Sequence, residues 1–457
     1  MCSSDPPLSI DALLERRNAA FGAGAPLFYK TPVHIVKGEG VYLYDETGKQ
    51  YIDMYNNVPC VGHANPHVVA KMTDQLGTLN VHSRYLSEPI VEYTERLTGH
   101  HVDRIESAVF ACSGTEANEV AMAMAQRVTG GRGFICSDAA YHGNSALVGR
   151  LTHVGRRDPD PEIRAFPYPQ KYRPLRDNVA DADLRDAYLA ALDEQIAGFE
   201  ADGIKLAGLL VCPLFANEGL PDVPQGFMAE AARRVRAAGG VVISDEVQAG
   251  LCRSGNWWGY EVMDFEPDIA VMGKPIGNGM PLSAVCASRE MVETFRKFGY
   301  FNTFASSPLQ AAAGNAVLDV IENEGVRESV QTVGAHLRAG LESLTENAPD
   351  IAEVRGHGEL CFRQRCEAAA VTQESLAPAV VARHDGAFSE VRMTRCDHAT
   401  HRASIHHLVQ FVTLGVALPL VHAPAHVGIA RQIDVAHQHV AICQLDRKST
   451  RLNSSHL

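Results

Sequence analysis

Val241-Val242-Ile243-Ser244-Asp245 decides the fold, because four apolar or small residues run straight into a carboxylate. Ile269-Ala270-Val271-Met272-Gly273-Lys274 repeats the arrangement with an amine at the end. Short continuous apolar runs of this kind are strands covered on both faces, the mark of a parallel sheet flanked by helices. Ahead of the first run, Met228, Ala231, Ala232, Val235 and Ala238 recur at helical spacing, and Gly239-Gly240 ends that helix. Ala207 to Cys212 is a strand before the helix, and Ser107 to Ala111 and Gly133 to Ser137 are two more. From about residue 106 to 275 the order is that of an α/β domain with a mostly parallel sheet and helices on both faces.

Ligands of such sheets lie beyond the carboxyl ends of the strands, where both ionisable residues fall. Asp245 needs a compensating partner there. A protonated pyridine nitrogen would serve, through a charge-assisted hydrogen bond worth roughly 1.5 to 3 kcal/mol; the plainer alternative is a helix cap or an ion pair. Lys274 is costly at a buried strand end unless it is paired or used covalently. As a Schiff base it would be the internal base of a carbanion reaction, and otherwise it is a lysine snorkelling to water.

Ser113-Gly114-Thr115-Glu116-Ala117-Asn118 follows a strand and precedes Val120, Met124 and Val128, four apart on one helical face. Ser113 with Glu116 matches a capping box, and the free N–H groups of the first turn suit a phosphate as well as they suit a merely well-capped helix. Tyr141-His142-Gly143 can present an aromatic face to a flat heterocycle, or be ordinary loop packing.

Composition narrows the partners. A chain of 457 residues that is 46% hydrophobic and 21% charged can bury a large core. A net charge of -13 offers no basic field to a nucleic acid. No apolar run approaches the roughly 20 residues of a membrane span. Eleven cysteines without a C-x-x-C pair, and no secretory leader, fit the reducing cytoplasm.

Residues 1–60 form a peripheral arm in which Val41 to Asp45 and Lys49 to Asp53 flank Glu46-Thr47-Gly48 as a hairpin. Residues 61–320 are the large domain, 321–358 the start of a small C-terminal domain, and 359–457 an anomalous tail. Pro161, Pro167, Pro169 and Pro174 mark a loop-rich insertion within the large domain. Of 20 histidines, 11 lie from His357 onward and 9 before it, while Lys448 is the only lysine in that stretch. These histidines lack ligand spacing with Cys or carboxylate partners, so no metal site is expected. The tail reads like an out-of-frame translation, and is expected to be poorly ordered or loosely packed.

Taken together, Ser113 to Asn118, Tyr141-His142-Gly143, Asp245-Glu246-Val247-Gln248 with Gly250, Gly273-Lys274 with Gly277-Asn278-Gly279, and Asn302-Thr303-Phe304 resemble the class III pyridoxal-phosphate (PLP) aminotransferases over roughly residues 25 to 355. The resemblance implies fold type I and a homodimer, or a dimer of dimers, with active sites between subunits. It implies that PLP is the cofactor, held by Lys274 as a Schiff base. Gly114 and Thr115 would bind its phosphate, Tyr141 would stack on its ring, His142 would be a further cofactor-site residue, Asp245 would pair with the ring nitrogen, and Gln248 would approach the phenolic oxygen. Thr303 would reach the neighbouring subunit's cofactor.

Asn56-Asn57-Val58, Val61-Gly62-His63 and Ser83-Arg84-Tyr85-Leu86 are similar to the branch that contains ethanolamine-phosphate phospho-lyase, and make Asn57 and Tyr85 candidates for touching substrate. The expected activity is transfer of an amino group from a small amine or amino acid to a keto acid or aldehyde. Elimination of phosphate and ammonia from a phosphorylated amine is the alternative, and a cofactor-binding but inactive product the third possibility. One departure concerns Cys212-Pro213, where the family often has Glu-Pro; Glu218 is the candidate replacement for that carboxylate.

Overall fold

A computed structural model describes residues 9–25, 27, 31–152, 160–345 and 351–358, together with the backbone of 360–365, 379–382 and 388–391. Its helices are α1 Ile10–Phe21, α2 Pro66–Leu76, α3 Glu88–Gly99, α4 Gly114–Thr129, α5 Val148–Thr152, α6 Asp181–Ala201, α7 Phe227–Ala237, α8 Gly259–Val262, α9 Arg289–Arg296, α10 Pro308–Asn323 and α11 Val326–Thr345. None of the described helices is long and apolar enough to cross a membrane.

The first three strands, β1 Ile35–Glu39, β2 Tyr42–Asp45 and β3 Gln50–Ile52, make an antiparallel sheet. The β2–β3 pair is the hairpin read from residues 41 to 53. Asp45 closes its turn, since Oδ1 accepts from the Thr47 and Lys49 amides, each at 3.0 Å, and Oδ2 from the Tyr51 hydroxyl at 2.8 Å.

The central sheet contains β4 Ser107–Ala111, β5 Gly133–Ser137, β6 Ile163–Phe166, β7 Leu206–Val211, β8 Val241–Asp245, β9 Ile269–Met272 and β10 Ser283–Ala287, in the order β4-β10-β9-β8-β7-β5-β6. All neighbours from β9 to β6 are parallel, and β10 runs against both β9 and β4. Apolar side chains fill both faces. Phe110, Leu209, Val242 and Ala270 belong to a core with Tyr93, Tyr188, Trp258 and Ile321; Val109, Leu210, Ile243 and Val271 belong to a second core with Met122, Met124 and Phe295. Successive residues of a strand therefore enter opposite layers, which is why these runs are apolar without alternation.

Two strands lie outside those expected from the sequence. The proline-marked insertion contains β6, which fits in four residues between Pro161 and Pro167. β10 is an additional strand, built from the small residues Ser283, Ala284, Val285, Cys286 and Ala287. Helix α7 begins one residue before the expected periodic stretch and stops at the glycine pair, where Gly239 has φ +81°.

Beyond α11, β11 Ile351–His357 pairs antiparallel with β12 Leu360–Arg365, and β13 Ala379–Ala382 with β14 Phe388–Val391. Apart from these strands, the expectation for the tail from Glu359 to Leu457 falls outside the described residues.

Candidate active site

Asp245 is the last residue of β8, and its side chain is buried beneath three donors. Oδ2 lies 2.7 Å from His142 Nδ1 and accepts from Asn118 Nδ2 at 3.0 Å, while Oδ1 accepts from the Val247 amide at 3.1 Å. Asn118 also donates to the His142 carbonyl at 2.9 Å, so helix α4 and the 141–143 turn are locked together behind the carboxylate. Thr152 completes the turn: its hydroxyl donates to the Gly143 carbonyl at 2.7 Å and accepts from the His142 amide at 3.0 Å.

Lys274 follows β9 and opens a single 3₁₀ turn to Gly277. Its φ of 35° is left-handed, a conformation that a non-glycine residue keeps only where its surroundings impose it. The loop is anchored by Asn278, whose Oδ1 accepts from the Val61 amide at 3.2 Å and whose Nδ2 donates to the Gly62 carbonyl at 3.0 Å. Nζ donates to Gln248 Oε1 at 2.9 Å, and Asn57 Nδ2 donates to the same oxygen at 3.0 Å. Burial, and then the nearby Arg253 guanidinium, pull the Lys274 amine below its ordinary value, against the opposing charge of Asp245. Such a lysine gives up its proton more readily.

Helix α4 supplies the third wall. The Ser113 hydroxyl accepts from the Glu116 amide at 3.2 Å, as expected for a cap, but the Glu116 carboxylate reaches the Cys112 amide at 2.8 Å rather than the cap residue. On the expected apolar face Val120 and Met124 are buried, whereas Val128 is partly exposed. Backbone approaches backbone at the helix start. A Cβ on Gly273 would lie 3.3 Å from the Gly114 nitrogen, one on Gly114 would meet Val247 Cγ1 at 2.9 Å, and one on Gly143 would meet Thr115 Oγ1 at 2.8 Å. These glycines let the segments carrying Thr115, Asp245, Lys274 and His142 converge.

The cluster therefore unites Gly114, Thr115, His142, Asp245, Gln248, Lys274 and Asn57. Tyr141 is at its rim, half exposed, with its hydroxyl accepting from Asn144 Nδ2 at 2.9 Å. Tyr85 and Thr303 are elsewhere. The Tyr85 ring packs 5.3 Å from that of His82, which lies 5.7 Å from Phe301, and the exposed Thr303 is two residues beyond Phe301. Asn302, next to Thr303, donates to Glu116 in the first turn of α4, so the segment is tied to the cluster from outside.

Several residues of the cluster carry no sequence signal of their own. Asn118 sits in the quoted helix motif, but only the fold brings it to Asp245; Thr152 and Arg253 belong to no motif at all. Glu246 accepts from the Ser244 hydroxyl at 2.8 Å and the Gly259 amide at 2.7 Å.

A buried amine, a buried carboxylate held by donors, and a helix N-terminus with glycine-lined backbone fit the aldehyde, pyridine nitrogen and phosphate of PLP. The comparisons agree, since residues 26–395 match the family described as Aminotransferase class-III. The chain belongs to the class III aminotransferases. Within that family, an Arabidopsis thaliana alanine-glyoxylate aminotransferase 2 homologue is 33% identical over 77% of this chain and 73% of its own. An ethanolamine-phosphate phospho-lyase homologue of Caenorhabditis elegans is 30% identical over 77% of this chain and 79% of its own. Among solved structures, a phospholyase from Arthrobacter in complex with phosphoethanolamine shares 40% identity and a TM-score of 0.74, covering 78% of this chain and 85% of that one. This class III aminotransferase is a PLP-dependent enzyme with the fold type I architecture of its relatives.

Proposed function

We propose that the enzyme acts on a small amine bearing an anionic group, and that its reaction is elimination of phosphate and ammonia from ethanolamine phosphate or a similar phosphorylated amine. The observation that carries this reading is the 40% identity to the Arthrobacter phospholyase solved with phosphoethanolamine. The buried Arg253 cation beside Lys274 supports an anionic substrate. Transamination, the first expectation from sequence, is the second reading, favoured by the 33% identity to the Arabidopsis aminotransferase homologue.

In both readings Lys274 is the covalent partner of the cofactor aldehyde. Gly114 and Thr115 would hold its phosphate, Tyr141 would stack on its ring, Asp245, held by His142, would pair with its ring nitrogen, and Gln248 would serve the phenolic oxygen. When bound, PLP supplies an electron sink for the pair left on the substrate's Cα. The residues of the chain manage the protons. Lys274 Nζ, when neutral, would take the Cα proton, and its bond to Gln248 fixes where that nitrogen points. Asp245, immobilised by its three donors, holds a proton on the ring nitrogen.

The same reading takes the chain as a homodimer. Tyr85, Leu86, Phe301 and Phe304 are exposed together with Thr303, which suits a face covered by a second copy. Sedimentation of the holoenzyme tests the assembly. The reaction is tested by incubating it with phosphoethanolamine and, separately, with amino donors and glyoxylate. Release of inorganic phosphate and acetaldehyde is the expected result; a new amino acid without phosphate release would transfer the assignment to transamination.

A further inference from the structure

Asn57, a sequence candidate for touching substrate, places its side chain on Gln248. Its Nδ2 donates to Gln248 Oε1 at 3.0 Å, and Lys274 Nζ donates to the same oxygen at 2.9 Å. An ammonium has donors and no acceptor, so the Gln248 atom facing Lys274 is the amide oxygen, and the Asn57 atom that shares it is a nitrogen. A carbonyl oxygen has two lone pairs, and here both are taken. The group that Gln248 keeps for a ligand is Nε2, which can only donate.

The Asn57 side chain is delivered from a loop that is held on both sides. Ahead of it, Asp53 Oδ1 accepts from the amides of Tyr55 at 3.0 Å and Asn56 at 2.9 Å, and Asp53 Oδ2 lies 2.7 Å from His63 Nε2. His63 is tied in turn to Gly40, with which it exchanges two backbone hydrogen bonds at 2.8 and 2.9 Å. Behind it, the buried Arg253 guanidinium donates to the Asn57 carbonyl. Asn57 thus reaches Gln248 from the side of the first antiparallel sheet, whereas Gln248 follows β8 and Lys274 follows β9.

We propose that Asn57 is a positioning residue for the cofactor: by occupying Gln248 Oε1 it turns Nε2 to the phenolic oxygen, so that Gln248 acts there as a donor. The inference rests on reading Gln248 as the partner of that oxygen. Negative charge on the phenolic oxygen retains a proton on the Lys274 nitrogen linked beside it. A donor to the oxygen disperses the charge, and the nitrogen then gives up its proton at lower pH; a reversed amide would set oxygen against oxygen and have the opposite effect. Once Nζ is bonded to the cofactor it has fewer protons to give, and Asn57 keeps Oε1 engaged. Arg253, Asp245 and Cys212 are the ionisable groups that act on Lys274, and the variants below replace none of them.

The test needs no substrate. The visible absorbance of the holoenzyme changes with protonation of the Lys274 linkage, and its midpoint is read by pH titration. Gln248→Ala should raise that midpoint by roughly one pH unit. Asn57→Asp, whose carboxylate only accepts and so turns Nε2 away from the cofactor, should raise it by about as much. In the Gln248→Ala background, which isolates the effect of the new charge, the same substitution should add about half of that or less. Asn57→Leu, which keeps the size without a donor, should give the same pattern with a smaller shift, and serves if the Asp variant does not fold. Equal shifts in the two backgrounds, or none in either, overturn the proposal and return Asn57 to the substrate side of the site. A midpoint unmoved by Gln248→Ala would instead remove Gln248 from the phenolic oxygen, and the proposal with it.

Discussion

Asp245 Oδ2 receives both Nδ1 of His142, at 2.7 Å, and the Asn118 amide, at 3.0 Å. The carboxylate is gripped from helix α4 and from the 141–143 turn, and neither grip depends on a ligand. Asp245→Asn keeps the shape but replaces one accepting oxygen with a donor that conflicts with these neighbours and cannot hold a positive ring nitrogen. The variant should retain cofactor, read from its absorbance, while turnover falls by roughly 10²-fold or more. Near-parental turnover would make Asp245 a structural residue.

Gly143 has φ +146°, and a Cβ there would meet Thr115 Oγ1 at 2.8 Å and Thr115 Cα at 2.9 Å. Gly143→Ala should therefore displace Thr115 from the start of α4. Cofactor dissociation during dialysis should quicken severalfold, with the fold intact by circular dichroism. Unchanged retention would separate Thr115 from cofactor binding.

Glu246 gives a pH dependence with a definite sign. Burial, opposed by the Gly259 amide and the Ser244 hydroxyl, pushes its carboxyl from 4.5 to about 7. Between these values the folded chain holds a proton that the unfolded chain has released. Stability from this group is thus complete below about pH 4.5 and is lost as pH rises through 7, by on the order of 3 kcal/mol. Glu246→Gln should flatten the decline in Tm between pH 5 and 8; a decline as steep as the parent's would assign it to other groups.

Much of the large domain was legible in short apolar runs. Ser107–Ala111, Gly133–Ser137 and Ile269–Met272 are strands with the expected bounds; β8 differs by one residue at one end and β7 by one residue at each end. β6 escaped because prolines bracket it, and β10 because its alanines carry little strand preference; it is a strand only because β4 and β9 pair with its two edges. Lys274 and Asp245 stood out for a local reason, an ionisable group ending a buried run. The partners of Asp245 did not, since Asn118 lies 127 positions away and His142 lies 103. Tyr85 and Thr303 were legible through resemblance alone.

The central claim is that Lys274, strained at φ 35° and held at 2.9 Å from Gln248, is the lysine that bonds the cofactor. Holoenzyme is treated with borohydride, digested, and its pyridoxyl-labelled peptide sequenced by mass spectrometry, in parallel with Lys274→Ala. A single label on the peptide containing Lys274, absent from the variant, is the predicted result. A label on any other lysine, or a variant that still forms a reducible linkage, would contradict the account.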